Sequence, residues 1–296
     1  MIVEQGNSYS IERDECGDTL LVTGPWTDEI SRLLADGRAD GLDLNYAKGF
    51  KDTDLSVLTS WPIRRLTVLA RTVKDLSPLE RLAGSLERLS VQTAPKASIE
   101  LSRFPALTTL SADWNQIRSS VSDAPRLRDL MIRTYDEPDL TPLRWNTALT
   151  RLRFKDRPAL RRLDGVAMFR SLEHLAVYGA PLHALDELST QELSLRELHV
   201  ESCPVRDLSP LASQRHLQLL NASECGDVAS LSPLRELSDL SILWLFGTTK
   251  IVDDDLSPLC ALPRLRELRM RSRRSYRPSV ESVQALYGDR SGETLG

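Results

Sequence analysis

Leu195-Arg196-Glu197-Leu198-His199-Val200, followed by Cys203-Pro204-Val205 and then Asp207-Leu208-Ser209-Pro210-Leu211, is the stretch that decides how this chain folds. Its first part reads leucine, two residues, leucine, one residue, aliphatic. The end of that pattern alternates as a half-buried strand does, sending successive side chains to opposite faces. Working upstream, the signature returns as Leu172, Leu175, Val177; Leu149, Leu152, Phe154; Leu127, Leu130, Ile132; Leu107, Leu110, Ala112; Leu86, Leu89, Val91; and Ile63, Leu66, Val68. Downstream it returns as Leu217, Leu220, Ala222; Leu240, Leu243, Leu245; and Leu265, Leu268, Met270, and a weaker opening copy stands at Ala39, Leu42, Leu44. The second leucines fall at 42, 66, 89, 110, 130, 152, 175, 198, 220, 243 and 268, so the step is always 20 to 25 residues. A fixed period of this length marks an internal repeat, each copy adding one strand to a parallel sheet at about 4.8 Å per step.

A second signature closes each turn. Asp75-Leu76-Ser77-Pro78-Leu79, Asp139-Leu140-Thr141-Pro142-Leu143, Leu231-Ser232-Pro233-Leu234 and Asp255-Leu256-Ser257-Pro258-Leu259 repeat the connector after the quoted stretch, and Asp54-Leu55-Ser56-Val57-Leu58 is a degenerate copy. Ser or Thr as N-cap with Pro at the first helical position predicts a short helix or 3-10 turn there. Pro62, Pro105, Pro125 and Pro263 stop these segments just before the next strand.

Together these motifs resemble the leucine-rich-repeat family, and the Leu-Ser-Pro-Leu connector resembles its short-repeat, internalin-type bacterial branch, over roughly residues 38–273. The resemblance implies an α/β fold: a right-handed solenoid of about eleven repeats with a parallel concave sheet roughly 50 Å long, short helices or 3-10 turns on the convex side, and caps at both ends. It also implies a buried Asn or Cys in the turn after each strand. Asn115-Gln116-Ile117 and Cys203-Pro204-Val205 match that pattern and Cys225 matches its first position. Arg71, Ala94, Tyr135, Arg157, Ala180, Thr248 and Arg273 stand there in other repeats, so irregular turns are expected.

The domain reading is an N-terminal cap over 1–37, a solenoid over 38–275, and a capping helix with tail over 276–296. Tyr9-Ser10-Ile11 and Thr19-Leu20-Leu21-Val22 flank a hairpin turn at Glu15-Cys16-Gly17-Asp18. Thr27 should cap a helix bearing Ile30, Leu33 and Leu34, with Trp26 plugging the first repeat. Val280, Val283 and Leu286 have the spacing of a terminal helix, and a loose tail is expected from Gly288.

With 296 residues, a net charge of −4 and 27% charged residues, bulk electrostatics demand neither nucleic acid nor membrane. The N-terminal residues carry no basic and apolar leader pattern, and no run of about 18 apolar residues occurs. Cys16, Cys203, Cys225 and Cys260 lie far apart, which fits reduced thiols in the cytoplasm rather than a disulfide framework. The expectation is a cytoplasmic monomer without cofactor or metal.

On such a sheet the residues flanking the strand leucines face solvent, and two patches emerge. Arg133, Arg151, Arg153 and Lys155 form a basic strip, and Leu219, Ile242, Trp244 and Phe246 an apolar patch, with Tyr178 between them in the chain. Exposed aromatic and aliphatic side chains on a sheet that could have been polar suggest a recognition anchor; the alternative is a satellite core under another segment. The basic strip suits an acidic protein or a nucleic-acid backbone, or is a solvated face balanced by Asp129, Asp136, Glu137 and Asp156. His174 and His199 stand near Glu197 and Glu201, but two imidazoles without a third ligand are read as ordinary surface residues. No nucleophile elbow, phosphate-cradling loop or zinc-protease motif is present. The reading is therefore a non-enzymatic module that binds a protein on its concave face, with nucleic acid or another polyanion on the Arg/Lys strip as the alternative. The resemblance further implies that such a module can act as an inhibitor of a toxin or enzyme.

Overall fold

The computed structural model describes residues 1–288. It divides into two compact units, Met1–Arg133 and Thr134–Gly296, a division not legible in the repeat pattern.

The first unit opens with antiparallel strands β1 (Ile2–Gln5), β2 (Tyr9–Asp14) and β3 (Gly17–Val22), followed by helix α1 (Asp28–Ala35). The hairpin falls at the expected turn; β1 is an addition on its outer edge. Thr27 Oγ1 accepts from Ile30 N at 3.4 Å, capping α1, while Ile30 and Leu34 are buried. Trp26 is half-buried and stacks on Trp61 at 5.8 Å. Parallel strands then follow in chain order: β4 (Gly41–Asn45), β5 (Arg65–Leu69), β6 (Arg88–Gln92), β7 (Thr109–Asp113) and β8 (Asp129–Arg133). Their register aligns Leu42, Leu66, Leu89, Leu110 and Leu130, all buried. A helical turn, α2 (Trp114–Ile117), follows β7.

The second unit continues with parallel strands β9 (Arg151–Lys155), β10 (His174–Val177), β11 (Glu197–His199) and β12 (Leu219–Asn221). A short strand β13 (Asp227–Val228) precedes β14 (Ile242–Leu245), and β15 (Lys250–Ile251) and helix α3 (Ser257–Cys260) precede β16 (Glu267–Met270). The sheet order is β9-β10-β11-β12-β14-β16, and β13 pairs with β15 in a separate ribbon. Leu152, Leu175, Leu198, Leu220, Leu243 and Leu268 are in register. Helix α4 (Val280–Gly288) closes the described chain. In both units the core lies between the inward strand leucines and the leucines of the connectors, such as Leu79, Leu143, Leu211, Leu234 and Leu259.

Three local expectations are corrected. The connector Ser or Thr is not the N-cap: it is the first residue of the 3-10 or α turn, which begins after Leu76, Leu140, Leu208, Leu231 or Leu256 without a side-chain cap from that leucine. The cap is the residue two positions earlier, an aspartate except at Ser232, whose N donates to Ser230 Oγ at 3.0 Å. Asp75 Oδ1 accepts from Ser77 N at 2.9 Å, Asp139 Oδ1 from Thr141 N at 2.9 Å, and Asp207 Oδ1 from Ser209 N at 2.8 Å. The Ser or Thr hydroxyl donates to the same carboxylate, as in Ser209 to Asp207 at 2.6 Å. An Asx turn satisfies the orphan amide because a carboxylate reaches two residues ahead with ease.

Asn115 is exposed and forms no buried turn ladder; Gln116 is buried instead, its Nε2 donating to Thr93 Oγ1 at 2.7 Å. The cause is α2, which rotates the residues after Asp113 by a helical step and turns Gln116 inward. In α4, Leu286 is 44% exposed and Tyr287 is buried. Positions 280, 283 and 287 share one face of a 3.6-residue helix, while 286 lies on another. The tail expected from Gly288 falls from residue 289 onward outside the described residues.

Candidate binding face of the sheet

Strand alternation places the candidate residues of the second unit on the side of the sheet away from the buried leucines. Register makes Arg151 the neighbour of His174, His174 of Glu197, Glu197 of Leu219, Leu219 of Ile242, and Ile242 of Glu267. The next row runs Arg153, Ala176, His199, Asn221, Trp244, Arg269. Tyr178 and Phe246 stand two residues beyond Ala176 and Trp244 in their strands' continuations. Arg151, Lys155 and Phe246 are exposed; Arg153, Tyr178, Leu219, Ile242 and Trp244 are half-buried.

Arg133 is the exception. It lies in the first unit and is 8% exposed. Its Nε donates to Asp113 Oδ1 at 2.7 Å, its Nη1 to Ser111 Oγ at 2.9 Å, and its Nη2 to the Val91 carbonyl. The guanidinium thus braces β8 against β7 and β6. A planar fork with several fixed donors can meet three acceptors at once, which removes this side chain from the candidate face.

Side-chain contacts in the second unit form a continuous run that the ladders alone did not disclose. Lys155 Nζ lies 5.5 Å from the Tyr178 ring centre, Tyr178 is 6.1 Å from His199, and His199 meets Trp244 edge-on at 6.2 Å. Arg269 sits 5.1 Å from the Trp244 ring centre. Trp244 and His199 meet although β12 separates their strands, because Asn221 between them is short and buried. Asn221 Nδ2 donates to Glu201 Oε2 at 3.0 Å and its Oδ1 accepts from Ser223 N at 3.1 Å. Trp244 Nε1 donates to Glu267 Oε1 at 2.9 Å, which fixes the indole plane. The aromatic run therefore lies between a lysine and an arginine.

His174 Nδ1 lies 2.8 Å from Glu197 Oε2. Burial pushes the His199 imidazole below its ordinary value, against the opposite pull of Glu197 and Glu201, so His199 is a neutral ring at pH 7. Burial, reinforced by Glu201, raises the Tyr178 phenol, which stays protonated. Cys203 and Cys225 are buried turn residues: Cys225 Sγ donates to the Val200 carbonyl at 3.1 Å. Their thiols are pushed up by burial to about 11 and about 12, leaving no thiolate at neutral pH. Among the described residues no group of three or more His, Cys, Asp or Glu is placed to hold a metal ion. No described helix is long and apolar enough to cross a membrane.

No protein-family model matches the chain, and no curated protein matches it in sequence. Solved structures do match it in fold. An internalin (InlF) from Listeria monocytogenes superimposes with a TM-score of 0.59 at 19% identity, over 83% of this chain and 73% of that one. This chain has the leucine-rich-repeat fold. Two further leucine-rich-repeat structures match at a TM-score of 0.50: TLR13 in complex with ssRNA13, at 16% identity over 78% of this chain, and the plant peptide hormone receptor RGFR1 in complex with RGF2, at 15% identity over 88%. This chain spans only 42% and 41% of those two proteins.

Proposed function

We propose that this chain is a non-catalytic binding module that takes a protein partner on the sheet face of its second unit, with Tyr178, Leu219, Ile242, Trp244 and Phe246 as anchor and Arg151, Arg153 and Lys155 guiding approach. One observation carries the reading: apolar and aromatic side chains occupy adjacent positions on the sheet face away from the core, with the Trp244 indole held by Glu267. A preorganised aromatic surface loses little entropy on association, and its desolvation supplies binding energy. The protonated, buried Cys203 and Cys225 support binding rather than nucleophilic catalysis, and the four free thiols support a reducing, cytosolic setting.

The test is affinity capture from native cytosol with wild type and with Trp244→Ala/Phe246→Ala, at low and high salt. A protein retained by wild type and lost with the variant supports the anchor. Capture that is nuclease-sensitive, salt-labile and indifferent to the variant overturns it in favour of nucleic acid on the basic strip.

A further inference from the structure

Beyond the aromatic run, the second unit carries an open groove of about 820 Å3 beside its last strand, β16. Arg269, Arg271 and Arg273 all line it, together with Phe246, Met270 and Glu224. Arg269 is already engaged, its Nε 2.6 Å from Glu267 Oε1 and its guanidinium over Trp244. Arg271 is exposed and pairs with no acid among the described residues. Arg273 is half-buried, and its Nε is buried without any hydrogen-bond acceptor among them. A carboxylate is the acceptor that best suits a guanidinium free to reach it, as Arg271 is. The one acid among the lining residues, Glu224, accepts from Thr248 N at 3.0 Å through Oε2, and no ion pair joins it to Arg271 among the described residues.

We propose that this groove takes an extended acidic segment of a protein partner. Carboxylates at alternate residues of that segment meet Arg271 and Arg273, and an apolar side chain rests against Phe246 and Met270. The three arginines give the groove a positive lining that suits carboxylates, and the apolar wall suits peptide side chains better than a phosphodiester chain. The carbonyl of Leu268 on β16 already accepts from Gln284 Nε2 at 3.0 Å, so the segment docks through side chains at that point and not as an added strand. The inference rests on the sheet face being the partner surface and adds the chemistry of what binds at its end.

Fluorescence anisotropy of the full chain tests it with three labelled probes: a short peptide with Glu at every second position and apolar residues between, the same peptide with Gln for Glu, and an oligothymidylate of equal length. Wild type should favour the Glu peptide by roughly tenfold over the Gln peptide, the worth of one to two charge-assisted hydrogen bonds, and the preference should shrink with salt. Arg271→Glu/Arg273→Glu, and the milder Arg271→Gln/Arg273→Gln, should abolish the preference while unfolding at the wild-type temperature. Lys96→Gln/Arg103→Gln, at exposed residues of the first unit outside the groove lining, should retain it. Equal binding of the two peptides, tighter binding of oligothymidylate, or a preference that survives the arginine changes overturns the proposal. Should the acidic peptide select the groove while capture is indifferent to Leu219→Ala/Ile242→Ala, anchor residues outside the groove lining, the anchor reading falls and the groove stands. The reverse pattern sinks the groove alone.

Discussion

Arg133 shows how one side chain can change role between a sequence and a fold. As a strand residue flanking Ile132 it reads as solvent-facing, yet its guanidinium donates to Asp113, Ser111 and the Val91 carbonyl and is nearly buried. Removing it leaves the half-buried Asp113 carboxylate and the Val91 carbonyl without their donor, so Arg133→Ala should lower stability by about 2 kcal/mol in a urea titration. Arg133→Lys should recover little, since an ammonium cannot spread over three strands. A loss under about 0.5 kcal/mol, typical of a surface change, would return Arg133 to the binding face.

The turn off each strand offers a second residue-level test. The residue four after the second leucine has positive φ in six successive repeats: Thr134 at 51°, Asp156 at 61°, Gly179 at 71°, Ser202 at 57°, Glu224 at 56° and Gly247 at 71°. Only two are glycine, so this conformation was not signalled by composition. A left-handed conformation costs an ordinary residue about 1 kcal/mol. Ser202→Gly should therefore stabilise by up to about 1 kcal/mol, and Gly179→Ala, whose added methyl meets nothing within 4 Å, should destabilise by about as much. Gly247 is different: a Cβ there would push the Glu224 carboxylate off Thr248 N, so Gly247→Ala should cost that hydrogen bond in addition. Chemical unfolding of the three variants ranks them directly.

Among the elements, the connectors depend on ionised aspartates. Hydrogen bonds from Ser or Thr hold Asp54, Asp75, Asp139 and Asp255 below the usual carboxylate value, with the side-chain hydroxyl as the leading cause for Asp54, Asp139 and Asp255 and the backbone amide for Asp75. A folded pKa below the unfolded one contributes stability above the unfolded value, and that contribution is lost as pH falls through the folded pKa. Stability should thus decline on acidification below about pH 4. Asp75→Asn/Asp139→Asn/Asp255→Asn should show a lower melting temperature at neutral pH and a shallower acid limb. An unchanged acid limb in thermal melts would mean other carboxylates control it. The Asp-Leu-Ser-Pro-Leu spacing was visible in sequence; which residue caps was not, because Asp and Ser are both good cap formers and only the backbone path shows which amide each one reaches.

For the molecule as an array of repeats, the final strand is the vulnerable point. A parallel repeat sheet leaves backbone and apolar surface at its last strand, and here α4 sits beside it with Val283 and Tyr287 buried and Gln284 on the Leu268 carbonyl. A chain ended after Arg277 should melt earlier and self-associate, as light scattering would register. A monodisperse truncated chain with wild-type melting would show that α4 caps nothing.

Recurrence of Leu-x-x-Leu-x-aliphatic at a near-constant step determined the parallel ladder, its register and the buried leucines, because a strand's two-residue period and the burial of one face leave no other phase for those residues. The candidate residues on β9 to β14 were likewise placed on one face by alternation alone. Tertiary structure decided what those rows became. Trp244 reaches His199 only because Asn221 is short and tucked down; Arg133 is removed from the surface by acceptors twenty or more residues away in sequence; and the groove of Arg269, Arg271 and Arg273 exists because Phe246 and Gln284, from other segments, complete it. Periodicity tells which way a side chain starts; how far it goes depends on neighbours whose reach and charge only the folded chain brings together.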